Sequence, residues 1–273
     1  MSKINRRRFL KQTATTSAMA FPAVLTQKGN AAKAPASERV RVGMVGAAGR
    51  ASSLNRIFAR NKNAEIVGIA EIDPRRLPGT LENVTKTQGS KPKTFTDFRK
   101  LADDPTIDAL CVGTPDHWHA IPSIMGCLSG KDVYVEKPDS HNIVEGARMV
   151  AAMRKHKRII QMGSQHRSTK RLQSALEYIK TGALGRCLVA KAWESSRQGS
   201  IGHPKDSRVP AGINYDMWCG AAPKKPFNVN RFHGRWRWFF DYGTGDLGND
   251  GVHRLDMAVA AFQAACEAQG ESP

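Results

Sequence analysis

Residues suited to chemistry occur in this chain at three places, the first two just beyond apolar runs. The first is Gly46-Ala47-Ala48-Gly49-Arg50-Ala51, which follows Val40, Val42, Met44 and Val45. It is a G-x-A-x-x-A form of the glycine turn that lets backbone approach a pyrophosphate, and a helix opening after it would offer free N–H groups to phosphate. Glu71, 25 positions beyond Gly46, stands where an acid accepts a hydrogen bond from an adenosine ribose 2′-hydroxyl. A carboxylate there repels a 2′-phosphate and favours NAD, while Arg75 and Arg76 keep NADP open. The second place is Glu136-Lys137-Pro138, after Val133-Tyr134-Val135. Burial and the positive charge of an oxidised nicotinamide ring would depress the Lys137 amine toward neutrality, making it a base for a hydroxyl proton. Glu136 would orient or pair with it, and a cis bond is expected before Pro138. The third place is the segment from Asn249 to Asp256. His253 and Asp256, three apart, share one helix face, and His253 is suited to bond a substrate hydroxyl and share its proton.

These residues need a scaffold that brings strand ends together. Five short apolar runs, ending near Val45, Ala70, Gly113, Val135 and Ile160, alternate with helical patterns over Leu54–Ala59, Ile121–Leu128 and Val144–Met153. Strands alternating with helices give a parallel sheet covered on both faces, with ligands beyond the carboxyl ends of the strands. After Met162 the alternation stops. Leu172, Ala175, Leu176 and Ile179 mark a helix face ending near Gly182, a strand is expected from Leu188 toward Trp193, and residues 196–235 read as long loops. Arg167, Arg235 and Arg237 are candidates for sugar hydroxyls or for surface ion pairs. His117 and His119 in Asp116-His117-Trp118-His119 have no further ligand cluster nearby, so no metal site is expected.

The order of these motifs resembles the Gfo/Idh/MocA family of nicotinamide-dependent sugar oxidoreductases. The likeness rests on the glycine turn, the acidic strand end, Thr114-Pro115-x-x-x-His119 and Glu136-Lys137-Pro138. Trp236–Gly245 and Gly251-Val252-His253-Arg254-Leu255-Asp256 extend it, so that it runs from about Arg39 to about Ala260. The resemblance implies an α/β protein: an N-terminal Rossmann-type doubly wound parallel sheet in residues 35–164, followed by an α+β open-sheet substrate domain, truncated, in residues 165–273. It implies that Lys137 is the catalytic acid/base, with Thr114 and Pro115 beside the nicotinamide half and His119 at the cofactor. Gly46, Ala48, Gly49, Arg50, Glu71 and Glu136 complete the expected cofactor site. Arg167, Asn249, His253 and Asp256 are the expected substrate contacts. Many relatives carry an Asp four residues before this His, where this chain has Asn249. Asn hydrogen-bonds but cannot act as an acid. Either Asp250 substitutes for that Asp, or Lys137 and His253 work without it.

The activity so implied is hydride transfer to or from a secondary hydroxyl of a sugar or cyclitol. The alternatives are an NAD-dependent glycosidase of the same family, or a non-catalytic nucleotide-binding remnant. Relatives continue well past the point matching Pro273, so the second domain is expected to lack strands and, if complete, to assemble into a homo-oligomer.

Composition narrows the setting. The 273 residues carry a net charge of +18, and seven of the basic residues fall in the first 34, which hold no acid. Asn5-Arg6-Arg7-Arg8-Phe9-Leu10-Lys11, a mildly apolar stretch and Ala32-Lys33-Ala34 resemble a twin-arginine (Tat) signal over residues 1–34, which implies a periplasmic protein exported folded with its cofactor. Five cysteines with no C-x-x-C pair indicate neither a disulfide framework nor a cysteine zinc site. No run of about 18 apolar residues is present, so no membrane span is expected. No nucleic-acid partner is expected either, since the basic run Arg154–Arg158 has no interleaved aromatics.

Overall fold

The computed structural model describes residues 38–194 and 198–271. The Tat-like segment lies outside the described residues. Residues 40–162 build a six-stranded sheet from β1 (Val40–Val45), β2 (Ala64–Ala70), β3 (Lys93–Phe95), β4 (Ala109–Val112), β5 (Asp132–Val135) and β6 (Ile160–Met162). Every neighbouring pair is parallel and the order is β3-β2-β1-β4-β5-β6. Such strands are buried on both faces, which explains why they read as continuous apolar runs rather than alternating ones.

Helices cover both faces. On one, α1 (Arg50–Arg60) and α2 (Pro78–Gln88) place Leu54 and Val84 against Val42, Met44, Ile66 and Cys111. On the other, α3 (Arg99–Asp103), α4 (Ala120–Leu128) and α5 (Ile143–His156) bury Leu101, Cys127 and Met149 against Leu110, Val112, Val133 and Val135. The helices around Leu54–Ala59 and Val144–Met153 run longer at both ends than their apolar stripes, and the one around Ile121–Leu128 by one residue at its start, because caps set the limits. Asn142, for example, opens α5 by accepting from the Glu145 N–H at 3.0 Å, and Lys157 closes it at φ 52°. Strand β3 has no apolar run because it is an edge strand bonded only to β2.

The second lobe is helical and aromatic. It contains α6 (Lys170–Lys180), the short α7 (Tyr215–Cys219) and α8 (Val252–Gln269), with α6 lying along α8. Tyr215, Trp218, Phe227, Phe232, Trp236 and Tyr242 form its buried core. Among the described residues none beyond Met162 is in a strand. The strand expected from Leu188 toward Trp193 is therefore absent. A strand needs a neighbour for its N–H and C=O groups, and here Leu188, Val189 and Trp193 stand 71%, 64% and 72% exposed with no partner strand.

The two lobes are joined through the segment after β4. The His117 ring nitrogens face the carbonyls of Tyr242 (3.2 Å) and Trp218 (2.9 Å), and the Trp118 indole N–H donates to the same Trp218 carbonyl at 2.8 Å. The Asp116 carboxylate accepts from the Thr244 hydroxyl at 2.9 Å.

Close backbone contact at the head of β4 is testable. A Cβ on Gly113 would lie 2.9 Å from Ala51 Cβ and 3.1 Å from Ala51 Cα. Gly113→Ala is expected to cost about 1–3 kcal/mol through overpacking, read as a lower urea midpoint; an unchanged midpoint would contradict this packing.

Candidate active site

Strand β1 lies between β2 and β4, so successive connections leave it in opposite directions and open a crevice at the carboxyl ends. The turn after β1 uses its glycines for specific reasons. Gly46 has φ +108°, and a Cβ there would meet the Gly113 carbonyl oxygen at 3.2 Å. Gly49, at φ +59°, precedes α1 with open space around it and no side chain capping the helix. The first-turn N–H groups of α1 are thereby left for an anion.

Glu71 leaves β2 and turns back over this loop, accepting from the N–H groups of Ala47 (2.9 Å) and Asp73 (3.0 Å). Burial pushes its carboxyl up, and those two N–H bonds pull it down. An ionised carboxylate has about four lone-pair sites, so two remain for ribose hydroxyls. Arg75 is clamped on Asp73, its Nε and Nη2 each at 2.8 Å from a carboxylate oxygen. Its guanidinium is thus engaged away from any 2′-phosphate. A glycine cradle that a Cβ would fill, an uncapped helix and an acid at the neighbouring strand end fit a dinucleotide with a free ribose.

The crevice has an open volume of about 960 Å³, solvent at its mouth included. Of the residues expected at a cofactor, Gly46, Ala48, Gly49, Arg50, Glu71, Thr114 and Pro115 line it together. Its opposite wall comes from the second lobe, through Met217, Trp218, His233, Trp236 and Arg237. His119, Glu136 and Lys137 stand behind the lining. His119 is 1% exposed and bridges the carbonyls of Thr114 (2.8 Å) and Pro138, so it braces the wall. Glu136 is buried, with Oε1 accepting from Arg50 Nε at 2.8 Å and Oε2 without a protein partner.

The Lys137–Pro138 peptide is cis, as the sequence suggests. Lys137 Nζ donates to the Asn249 carbonyl and, at 3.2 Å, to Asn249 Oδ1. Arg237 Nε donates to that same Oδ1 at 2.9 Å, and its guanidinium lies 4.5 Å from the centre of the Trp236 ring. Burial pushes the Lys137 amine down; the charges of Asp250, Asp116 and Glu136 oppose this, and Arg237 adds to it. A π-helical turn over Leu247–Gly251 presents Asn249 to the amine. Asp250 is exposed and bears on Lys137 by its charge, without a hydrogen bond. Of the two alternatives left by the missing Asp, a hydrogen bond from Lys137 to Asp250 is not formed, and the amine meets Asn249 instead.

His253 opens α8 and stacks on His166, ring centres 4.6 Å apart, with Gln165 Nε2 at 3.5 Å from its Nε2. Burial lowers its pKa, as do the neighbouring Lys137 and His166. Arg167 and Asp256, both expected at the substrate, form a bidentate pair with contacts of 2.7–3.0 Å, each using its hydrogen-bonding groups on the other. Among the described residues no three His, Cys, Asp or Glu side chains converge as a metal site.

The site also contains residues without a sequence signal of their own. Asp116 is 4% exposed, and burial raises its pKa. His166 and His233 likewise reach the site through tertiary packing.

The Lys137 environment yields a direct test. In Asn249→Asp a carboxylate replaces the neutral oxygen, and an opposite charge at this range favours the ammonium. The pH midpoint for acylation of the Lys137 amine should lie below that of exposed lysines in the unaltered chain and rise by about one unit or more in Asn249→Asp. An unmoved midpoint would contradict the contact.

Residues 40–164 match the oxidoreductase family's NAD-binding Rossmann model (GFO_IDH_MocA), and residues 188–264 match its C-terminal alpha/beta domain model. Curated relatives include a glycosyl hydrolase family 109 protein 1 of Shewanella sp. strain ANA-3, 27% identical over 70% of this chain and 46% of its own. An alpha-N-acetylgalactosaminidase of Shewanella oneidensis is 26% identical over the same shares. The chain thus spans about half the length of the curated relatives it matches. Among solved structures, levoglucosan dehydrogenase in complex with NADH and levoglucosan has a TM-score of 0.59 at 21% identity, covering 82% of this chain and 54% of that one. The WlbA dehydrogenase of Bordetella pertussis with NADH and UDP-GlcNAcA gives 0.57 at 24%, covering 81% and 54%. With both of its domain models matched in sequence order and the crevice built as a dinucleotide site, the chain belongs to the Gfo/Idh/MocA oxidoreductase family and carries that family's NAD-binding Rossmann domain in residues 40–164.

Proposed function

We propose that this chain catalyses NAD-dependent hydride transfer at a secondary hydroxyl of a sugar or cyclitol, with Lys137 as the general acid/base. The observation that carries the reading is the position of the Lys137 amine. It is half-buried, shares one neutral amide oxygen with Arg237, and Arg237 itself lines the dinucleotide crevice. Bound NAD supplies the hydride acceptor.

In the oxidising direction Lys137 takes the hydroxyl proton at Nζ. A general base must lie within hydrogen-bond reach of that proton and have a pKa near the working pH. Burial moves an ordinary lysine the right way, and Asn249 lets it stay neutral where a carboxylate would hold the proton. His253, whose pKa burial lowers, is suited to hold the same hydroxyl and fix which carbon faces the ring. Glu136, paired with Arg50, links the amine's strand end to the phosphate turn. Trp218 and Trp236 form an apolar wall that keeps water from the reacting carbon.

The names of the curated relatives support a second reading of the same site: glycoside cleavage, in which the hydride is removed and later returned to the sugar. Both readings use Lys137, and they differ in whether reduced cofactor accumulates. The arginine pair, apolar stretch and Ala32-Lys33-Ala34 of the first 34 residues support Tat export to the periplasm as part of this proposal.

With a sugar and glycoside panel, Lys137→Ala is expected to lower kcat by about 10²–10⁴-fold while NADH affinity stays within about threefold. Stoichiometric NADH indicates the dehydrogenase, and released aglycone without net NADH indicates the glycosidase. Full turnover by Lys137→Ala would overturn both.

A further inference from the structure

One residue of the crevice comes from the second lobe yet is bonded to the first. His233 Nε2 lies 2.6 Å from Asp73 Oδ2, a contact between residues 160 apart in sequence. Asp73 is 1% exposed and sits directly beyond Glu71, whose Oε1 accepts the Asp73 N–H at 3.0 Å. His233 lines the crevice together with Glu71 and Arg76, whereas Lys137 and Asn249 are not among its lining residues. We propose that His233 completes the adenosine-ribose subsite of the dinucleotide site, latched through Nε2 to Asp73 and presenting Nδ1 as an acceptor for a ribose hydroxyl.

The hydrogen-bond inventory fixes the roles. Two Arg75 contacts of 2.8 Å and the Arg75 N–H at 3.1 Å hold the Asp73 carboxyl well below the usual range, so it is ionised and accepts only. His233 Nε2 must therefore be the donor. Burial pushes the His233 ring down, with Arg76 and Arg75 acting the same way and Asp73 opposing. A neutral ring that donates from Nε2 keeps its lone pair on Nδ1. Nδ1 has no protein partner among the described residues, whereas Nε2 has the one.

The backbone supports a positional role. His233 adopts φ +60°, a left-handed conformation uncommon outside glycine, although histidine, like asparagine and aspartate, enters it more readily than most residues. Its ring lies 3.7 Å, centre to centre, from Phe232, which is anchored among Tyr215, Trp218 and Phe227. The strained turn thus places the ring at the crevice wall and the aromatic core holds it there. Glu71 from the first lobe and His233 from the second would each take a hydroxyl, so a 2′-phosphate would meet a carboxylate and an imidazole lone pair, with Arg75 engaged on Asp73 and Arg76 left as the cation beside them. The ligand class is the adenosine diphosphate ribose half of NAD.

The inference rests on the dinucleotide site and is independent of the sugar chemistry. In the full chain, Asn at position 233 tolerates the left-handed backbone but is too short to reach Asp73, whereas Gln can offer both a donor and an acceptor at longer reach. His233→Asn is expected to weaken NADH and ADP-ribose about tenfold, roughly the loss of one net hydrogen bond. Nicotinamide mononucleotide binding should be unchanged, and His233→Gln should recover most of the loss. Unchanged ADP-ribose affinity in a folded His233→Asn protein overturns the proposal, as does an equal loss for nicotinamide mononucleotide. Because a loop variant can lose its fold, the unaltered chain carries a second readout. The ¹⁵N resonance of His233 Nδ1 should shift when ADP-ribose is added and stay in place with nicotinamide mononucleotide; no shift with ADP-ribose overturns the proposal. Failure here leaves the role of Lys137 untouched.

Discussion

An amine fixed to the end of one lobe and satisfied by oxygens of the other is the constraint on which this molecule turns. Lys137 follows β5, so the sheet sets its position, while both of its acceptors belong to Asn249 in the turn before α8. Removing either partner leaves a half-buried polar group unpaired, at a cost of about 1–3 kcal/mol. The contact thus ties the definition of the site to the placement of the second lobe. Asn249 meets Lys137 with a neutral side-chain oxygen, which Arg237, lying over the Trp236 ring, also shares.

The other joints between the lobes follow the same plan, with side chains beyond the sheet's carboxyl ends bonded to the backbone or side chains of the aromatic lobe. His117 and Trp118 bond the Trp218 and Tyr242 carbonyls, Asp116 bonds Thr244, and Asp73 bonds His233. The residues at the β4 end that look like ligands in the sequence are thus structural. His117, whose pKa burial lowers to about 4, stays neutral at ordinary pH, so its ring donates from one nitrogen only, while its backbone N–H donates to the Tyr242 carbonyl at 3.3 Å. Parallel strands make this arrangement natural, because every strand delivers its following residue to the same edge.

What the sequence revealed was local. The turn at Gly46, the acid at Glu71, the cis bond before Pro138 and the shared helix face of His253 and Asp256 depend on neighbouring residues and on spacing. Strand β3 lacked a signal because an edge strand of three residues buries too little to show a pattern. The strand expected at Leu188 had the apolar residues but no neighbour among the described residues. Asp250 was a reasonable substitute for the missing acid by spacing, but the π-helical turn changes which residue faces the amine and brings Asn249 there. Arg167 and Asp256 were both drawn from the correct region, and their mutual pairing is a contact across 89 residues that no periodicity encodes. His233 and Asp116 reach the site in the same way.

The chemistry depends most directly on where the nicotinamide ring lies relative to Lys137. A crystal structure of the chain with NADH measures it. The ring is expected beside Thr114 and Pro115, on the Lys137 side of the crevice, leaving room for one carbinol carbon at about 3–3.5 Å from the ring with its hydroxyl toward Nζ. A dinucleotide bound in the reverse sense, with its adenine in that place, would contradict the account.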